Sequence, residues 1–408
     1  MTRSAHFGVT VPQISRTWEE AKVAALDFER LGFDSLWVCD HLYGVPRPEI
    51  PILEAWTLLT ALGAITERVE LGTLVTPPGF RNPALLAKIV ATLDRITNGR
   101  VVPGLGAGWF RQEFVGYGFD FPDTRDRLGR LAEAAELMTR AWSEPGLTFE
   151  GKHFHTDGLT IAPPPVRRPP LLIGGSGEKV TMRIAARFAD IWNNLAGHQA
   201  RLEHKVAVLR EHCAAVGRDP DSIRVSQQCM VLIVRTEDEV EPLLQRAEKL
   251  FGGHMGDVRG PLAIAGTPDQ VAERIQRHID LGCSHFIIEF FGRDTRAPAA
   301  LFAETVLPRF RSLSDVTGVS GRARTTRRRR WRTRQAVGRA RPRVNATYGV
   351  PYGAAAAPSR RRPQAAAAGW KGTTPSRRWP HATVAASGRR GRRAHRGAWR
   401  RAESCPGR

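Results

Sequence analysis

Asp40 and His41 stand side by side at the end of an apolar run, "DSLWVCDH". A carboxylate next to an imidazole can set the imidazole's tautomer, hold the edge of a bound ring, or move a proton near neutral pH. A second candidate lies in "LLIGGSGEKVTMRIAARFAD", residues 171–190. There Leu171–Ile173 meets Gly174 and Gly175, and Ser176, Gly177 and Glu178 lead into an apolar-periodic stretch. The spacing G-x-x-x-x-G-K-[ST] is absent, so this is not a P-loop. Amides of Ser176, Gly177 and Glu178 at the start of a helix would favour an anion through unpaired N–H groups and the macrodipole. A tight turn with no ligand is the other reading of the same glycines.

Three further stretches carry candidate chemistry. In "GLGAGWFRQEF" Gly104, Gly106 and Gly108 alternate, which lets a ligand or another backbone come close. The last spacing fails G-x-G-x-x-G, so no dinucleotide fingerprint is present. In "LGTLVTPPGFRNP" Leu74 and Val75 either back a flat ring or pack as ordinary strand residues. "KHFHTDG" alternates His153, His155 and Asp157, which share a face if extended. No further ligand accompanies them, and no metal site is expected.

These residues need elements to hold them. Eight apolar strand runs read along the chain: "HFGVTV", "DSLWVCDH", "VELGTLV", "RVVPGLGAG", "LLIGG", "ADIWNN", "IRVSQQCMVLIV" and "SHFIIEFF". Helical patterns fall between them, one with Asn82 as N-cap, Pro83 at N1 and Gly99 as C-cap, and another over 178–189. Strands buried on both faces read apolar rather than alternating. The alternation predicts an α/β fold, a closed (β/α)₈ TIM barrel with insertions at its C-terminal face, in preference to an open doubly wound sheet. In a barrel the C-terminal strand ends carry function, and Asp40-His41 falls on one.

Charge divides the chain. Residues 1–310 hold 35 Lys and Arg against 38 Asp and Glu, a net −3, whereas residues 311–408 hold 26 against 2, a net +24. The pI near 11.0 therefore belongs to the tail. That tail is rich in Arg, Ala, Gly and Pro and has no sustained apolar period. It is expected to be disordered over 316–408, beyond a barrel domain at 1–315. Its Arg runs with Trp331, Trp370, Trp379 and Trp399 could contact nucleic acid; a GC-rich strand read out of frame gives the same composition. Cys39, Cys213, Cys229, Cys283 and Cys405 lie far apart, which argues against a disulfide framework and fits a reducing cytoplasm. No signal peptide or membrane span is read.

Taken in order, "GFDSLWVCDHL", "LEAWTLLTALGAITERVELGTLVTP", "FRNPALLAKIVATLDRITNGRV", "GLGAGWFRQEF", "LLIGGSGEK" and "RFADIWN" resemble the luciferase-like monooxygenase superfamily, in particular its coenzyme F420-dependent oxidoreductase branch. The resemblance covers roughly residues 6–310. It implies a barrel that binds F420, or alternatively FMN, at its mouth. It places the family's ring-side His or Asp on Asp40-His41, and the mechanism expected here has His41 exchange a proton while Asp40 orients it. A backbone bulge under the ring, often a non-proline cis peptide, falls on Thr73, Leu74 and Val75. Phosphate-side contacts fall on Ala107, Gly108 and Gly174–Glu178, and Glu113 is expected among the cofactor-binding residues. The implied activity is hydride transfer to or from a small organic substrate. An FMN enzyme would instead activate oxygen and need a partner flavin reductase, and a catalytically silent flavin-binding barrel is a reading of another class. Members of the family are commonly homodimers. Sugar-phosphate dehydrogenases of the superfamily carry an acid directly after the fourth-strand glycine. Here that residue is Trp109, which argues against sugar-phosphate oxidation. Loops 43–52 and 144–166 are expected to set the substrate.

Overall fold

A computed structural model of the chain describes residues 5–251 and 256–311. The basic tail read from residue 316 onward lies outside the described residues. Along the first half run β1 (His6–Thr10), α1 (Trp18–Leu31), β2 (Ser35–Val38), α2 (Ala55–Ile65), β3 (Glu70–Thr73), α3 (Pro83–Ile96), β4 (Val101–Val102) and β5 (Gly104–Leu105). An excursion follows: α4 (Arg111–Gly116), α5 (Thr124–Ala141), β6 (Leu147–Glu150) and β7 (His155–Leu159). The second half holds β8 (Leu172–Gly174), α6 (Thr181–Phe188), β9 (Ile191–Asn194), α7 (Leu202–Ala215), β10 (Arg224–Ile233), α8 (Val240–Phe251), β11 (Ile264–Gly266), α9 (Pro268–Asp280), β12 (His285–Phe290) and α10 (Arg296–Thr305).

The parallel ladder runs β4-β3-β2-β1-β12-β10-β9-β8-β5. Its two ends are halves of one stave. Pro103 has no N–H to give to a ladder, so the strand breaks there. β4 pairs with β3 through Leu71↔Val101, and β5 pairs with β8 through Leu105↔Ile173. The ring therefore closes into an eight-stave barrel, as expected. The short β11 adds to β10 alone, and β6 and β7 form a separate antiparallel hairpin.

Caps place the helices around this ring. Thr17 accepts from the Glu20 amide while Glu20 accepts from the Thr17 amide, and Gly32 ends α1 at φ +92°. Asn82 caps α3 as expected, but the helix stops at Thr97. Gly99 follows at φ +85° and its amide returns to the Asp94 carbonyl. Inside the barrel Trp37, Val102, Leu172, Ile191 and Ile287 pack together, with Leu74 and Val75 resting on them. These side chains fill the barrel's centre and form the floor of its mouth.

Candidate active site at the barrel mouth

The strand order makes the ends of β2, β3, β5 and β8 one contiguous arc of the C-terminal face. On that arc stand His41, Leu74, Val75, Ala107, Gly108 and the loop Gly174–Glu178.

Asp40 does not orient His41. It is 1% exposed, and its carboxylate accepts from Trp56 Nε1 at 3.1 Å, Thr76 Oγ1 at 2.7 Å and Arg81 Nη1 at 2.7 Å. Burial pushes its carboxyl up, and Arg81 with the Thr76 hydroxyl pulls the other way. Asp40 thus ties β2 to α2 and to the loop after β3. The partner of His41 is Glu113 on α4. Both Glu113 carboxylate oxygens lie 3.0 Å from His41 Nδ1, and the Leu42 amide donates to the same carboxylate at 3.0 Å. Glu113 is 1% exposed. With Nδ1–H held by a buried carboxylate, Nε2 is the atom left to give or take a proton. Trp109 stands edge-on to the His41 ring at 5.9 Å.

The bulge after β3 contains a cis Leu74–Val75 peptide. Thr73 is fully buried, and its hydroxyl clamps β5 through the Gly104 amide at 3.0 Å and carbonyl at 3.1 Å. Gly104, Gly106 and Gly174 owe their smallness to this bulge, whereas Gly108 sits against Phe114. A Cβ at Gly104 would sit 2.0 Å from the Thr73 carbonyl oxygen, one at Gly106 2.4 Å from Val75, and one at Gly174 2.7 Å from Val75.

α6 opens at Thr181, so Ser176, Gly177 and Glu178 belong to the turn before it rather than to its first turn. Their amides find no acceptor among the described residues, and neither do those of Ala107 and Gly108. Buried Lys205 of α7 supports the turn from below, donating to the Ser176 carbonyl at 2.7 Å and to Glu178 at 2.6 Å. Arg201 and His204 also reach the Glu178 carboxylate, at 3.1 and 3.2 Å. Its pKa falls to about 2, first through the Lys205 bond and then through His204. Only the amide of Glu178 is therefore available to a ligand. The Ser176 hydroxyl is committed to Asn194 at 2.9 Å.

Sequence reasoning missed Lys205, Arg201 and His204, which come from the following βα unit, and the Arg81–Trp56 surround of Asp40. His153, His155 and Asp157 do not converge. His153 lies against α5 at Gly129, while Asp157 faces Thr148 across the hairpin.

The arc fits a ring with a phosphate. Leu74 and Val75 offer an apolar seat, and uncommitted amides on the two neighbouring loops offer an anion cradle. The profile of the luciferase-like monooxygenase family matches residues 2–256. The chain belongs to that family of oxidoreductases. An F420-dependent glucose-6-phosphate dehydrogenase of Microbacterium testaceum is 32% identical over 70% of this chain and 93% of its own length. That of Nakamurella multipartita is 31% identical over 71% and 91%. Among solved structures, an F420-dependent secondary alcohol dehydrogenase superposes with a TM-score of 0.66 at 24% identity, over 76% of this chain and 100% of that one. Among the described residues no helix is long and apolar enough to cross a membrane.

Proposed function

We propose that the chain is an F420-dependent oxidoreductase that transfers hydride to or from a small organic substrate. The observation that carries this reading is the arc itself. An apolar bulge, two loops of uncommitted amides and an imidazole held by a buried carboxylate occupy consecutive staves. The relatives named for F420 support the choice of coenzyme.

F420, when bound, supplies the hydride chemistry. Leu74 and Val75 back its ring, and the Ala107–Gly108 and Ser176–Glu178 amides hold its phosphate. Lys205 keeps the second of those loops in shape. His41 Nε2 gives a proton to the substrate oxygen in reduction, or takes one in oxidation, while Glu113 fixes the ring's orientation. The apolar floor keeps water away from the reacting atoms.

Titration of the full chain with F420 and with FMN, followed by coenzyme fluorescence, tests this. Salt is raised to screen the tail, since F420 is anionic. Tight F420 and weak FMN binding is expected. The reverse order would make the protein an FMN-dependent monooxygenase, and binding of neither would leave a barrel without this coenzyme site.

A further inference from the structure

We propose that Glu289 is a recognition residue of the mouth, whose carboxyl donates a hydrogen bond to the carbonyl or hydroxyl oxygen of an uncharged, largely apolar substrate. The inference rests on the hydride-transfer reading and names the substrate class for that site. Glu289 stands on β12, on the arc opposite the loops assigned to phosphate, and aligns with Met230 of β10. Strand alternation puts it on the face that carries Ile287 lower in the barrel. Ile287 packs in the central floor, and Glu289 lines the cavity above it.

That cavity holds about 190 Å³, and Val11, Leu74, Phe290 and Phe291 supply its apolar walls. Leu74 joins it to the ring seat. Its other polar groups are largely spoken for. The Thr10 hydroxyl donates to the Ile288 carbonyl at 3.3 Å, and the Cys39 thiol contacts Gln13 at 3.3 Å. The Arg16 guanidinium, the cation on this wall, binds Glu20 at 3.3 Å and the Arg293 carbonyl. Glu289 itself has no hydrogen-bond or ion-pair partner among the described residues.

Glu289 is partly buried in this cavity with no cation beside it, and desolvation raises its carboxyl above the ordinary range. The neighbouring charges do not reverse this. Burial pushes the Cys39 thiol up to about 12, so it stays neutral. Asp40 is turned towards Arg81, and Gln228 of β10 carries no charge. A protonated carboxyl is a donor suited to a neutral oxygen. A phosphate or carboxylate placed here would find no uncommitted cation among the described lining residues.

Four probes of one shape separate the possibilities: cyclohexanone, cyclohexanol, cyclohexylammonium and cyclohexanecarboxylate. Their binding to the full chain, with and without F420, is measured by ligand-observed NMR from about pH 5 to pH 9. The two neutral probes are expected to bind best, and to weaken as rising pH removes the donor proton. Glu289→Gln, a donor at every pH, should bind them with a flat profile. Glu289→Leu should bind them about tenfold more weakly at low pH. In coenzyme-free protein at the acidic end of that pH range, an infrared band of a protonated carboxylic acid should vanish in Glu289→Gln. Preference for cyclohexylammonium, a Glu289→Gln pH profile like the wild type's, or persistence of the band would overturn the proposal. Any of these with F420 still bound leaves the coenzyme site standing. Loss of F420 binding by the wild type fails that earlier reading separately.

Discussion

His41 has one ring nitrogen committed to Glu113 and one open, and the two should separate in a mutational test. His41→Ala removes the proton-exchanging atom. Turnover is expected to fall by roughly 10²–10⁴-fold with F420 affinity retained, measured by steady-state kinetics beside a fluorescence titration. Unchanged turnover would remove His41 from the chemistry. Glu113→Gln keeps the shape but no longer enforces one tautomer, so kcat should drop while KM moves little. The pair illustrates what a sequence reveals at this scale. His41 was legible because it ends an apolar strand. Its partner was not, because Asp40 is adjacent in sequence yet turned away, while Glu113 lies 72 residues further on. Glu289 was hidden for the opposite reason: one acid inside an apolar strand reads as strand.

The turn before α6 is held from another element. Lys205 is 2% exposed and reaches across from α7 to the Ser176 carbonyl and the Glu178 carboxylate. Lys205→Met removes both bonds and leaves the turn without its prop. F420 affinity should weaken by roughly tenfold with kcat at saturation little changed. Equal F420 titrations for the two proteins would show that the glycines alone shape the loop. The eight staves were legible as apolar runs between helical patterns. The β6–β7 hairpin was not, because β6 alternates over only Leu147–Glu150 and β7 is polar and largely exposed. The late start of α6 was also missed. Its apolar periodicity runs back through Val180, but Val180 caps the helix without any side-chain bond.

Over the whole molecule, buried histidines set the response to acid. His285 is fully buried, and burial holds its pKa well below 6.5, with His6 and Arg224 adding to the effect. His278 is likewise buried and lowered by desolvation, its ring set between the Arg274 carbonyl and the Gln199 amide. Unfolding lets both take up protons near their ordinary value. Their contribution to stability is therefore complete above about pH 6.5 and is lost as pH falls below it, by up to ~1.4 kcal/mol per pH unit for each histidine. Melting temperature should decline from about pH 7 to pH 5, and His285→Leu should make the decline shallower. A slope untouched by that change would place the acid sensitivity elsewhere. Charge gives a second test at this scale, since the +24 of residues 311–408 contrasts with the −3 before them. Heparin affinity of the full chain should fall steeply with salt, while heparin should leave turnover at saturating coenzyme unchanged.

Val75 is wedged between Gly106 and Gly174, each too close to accept a methyl group on its own. The three positions therefore inherit change as a set. Gly106→Ala alone should destabilise the protein by about 1–3 kcal/mol, and Val75→Ala in the same chain should recover much of that loss. In a lineage, Val75 would have to shrink before either glycine could grow, so drift at these sites has a required order of steps.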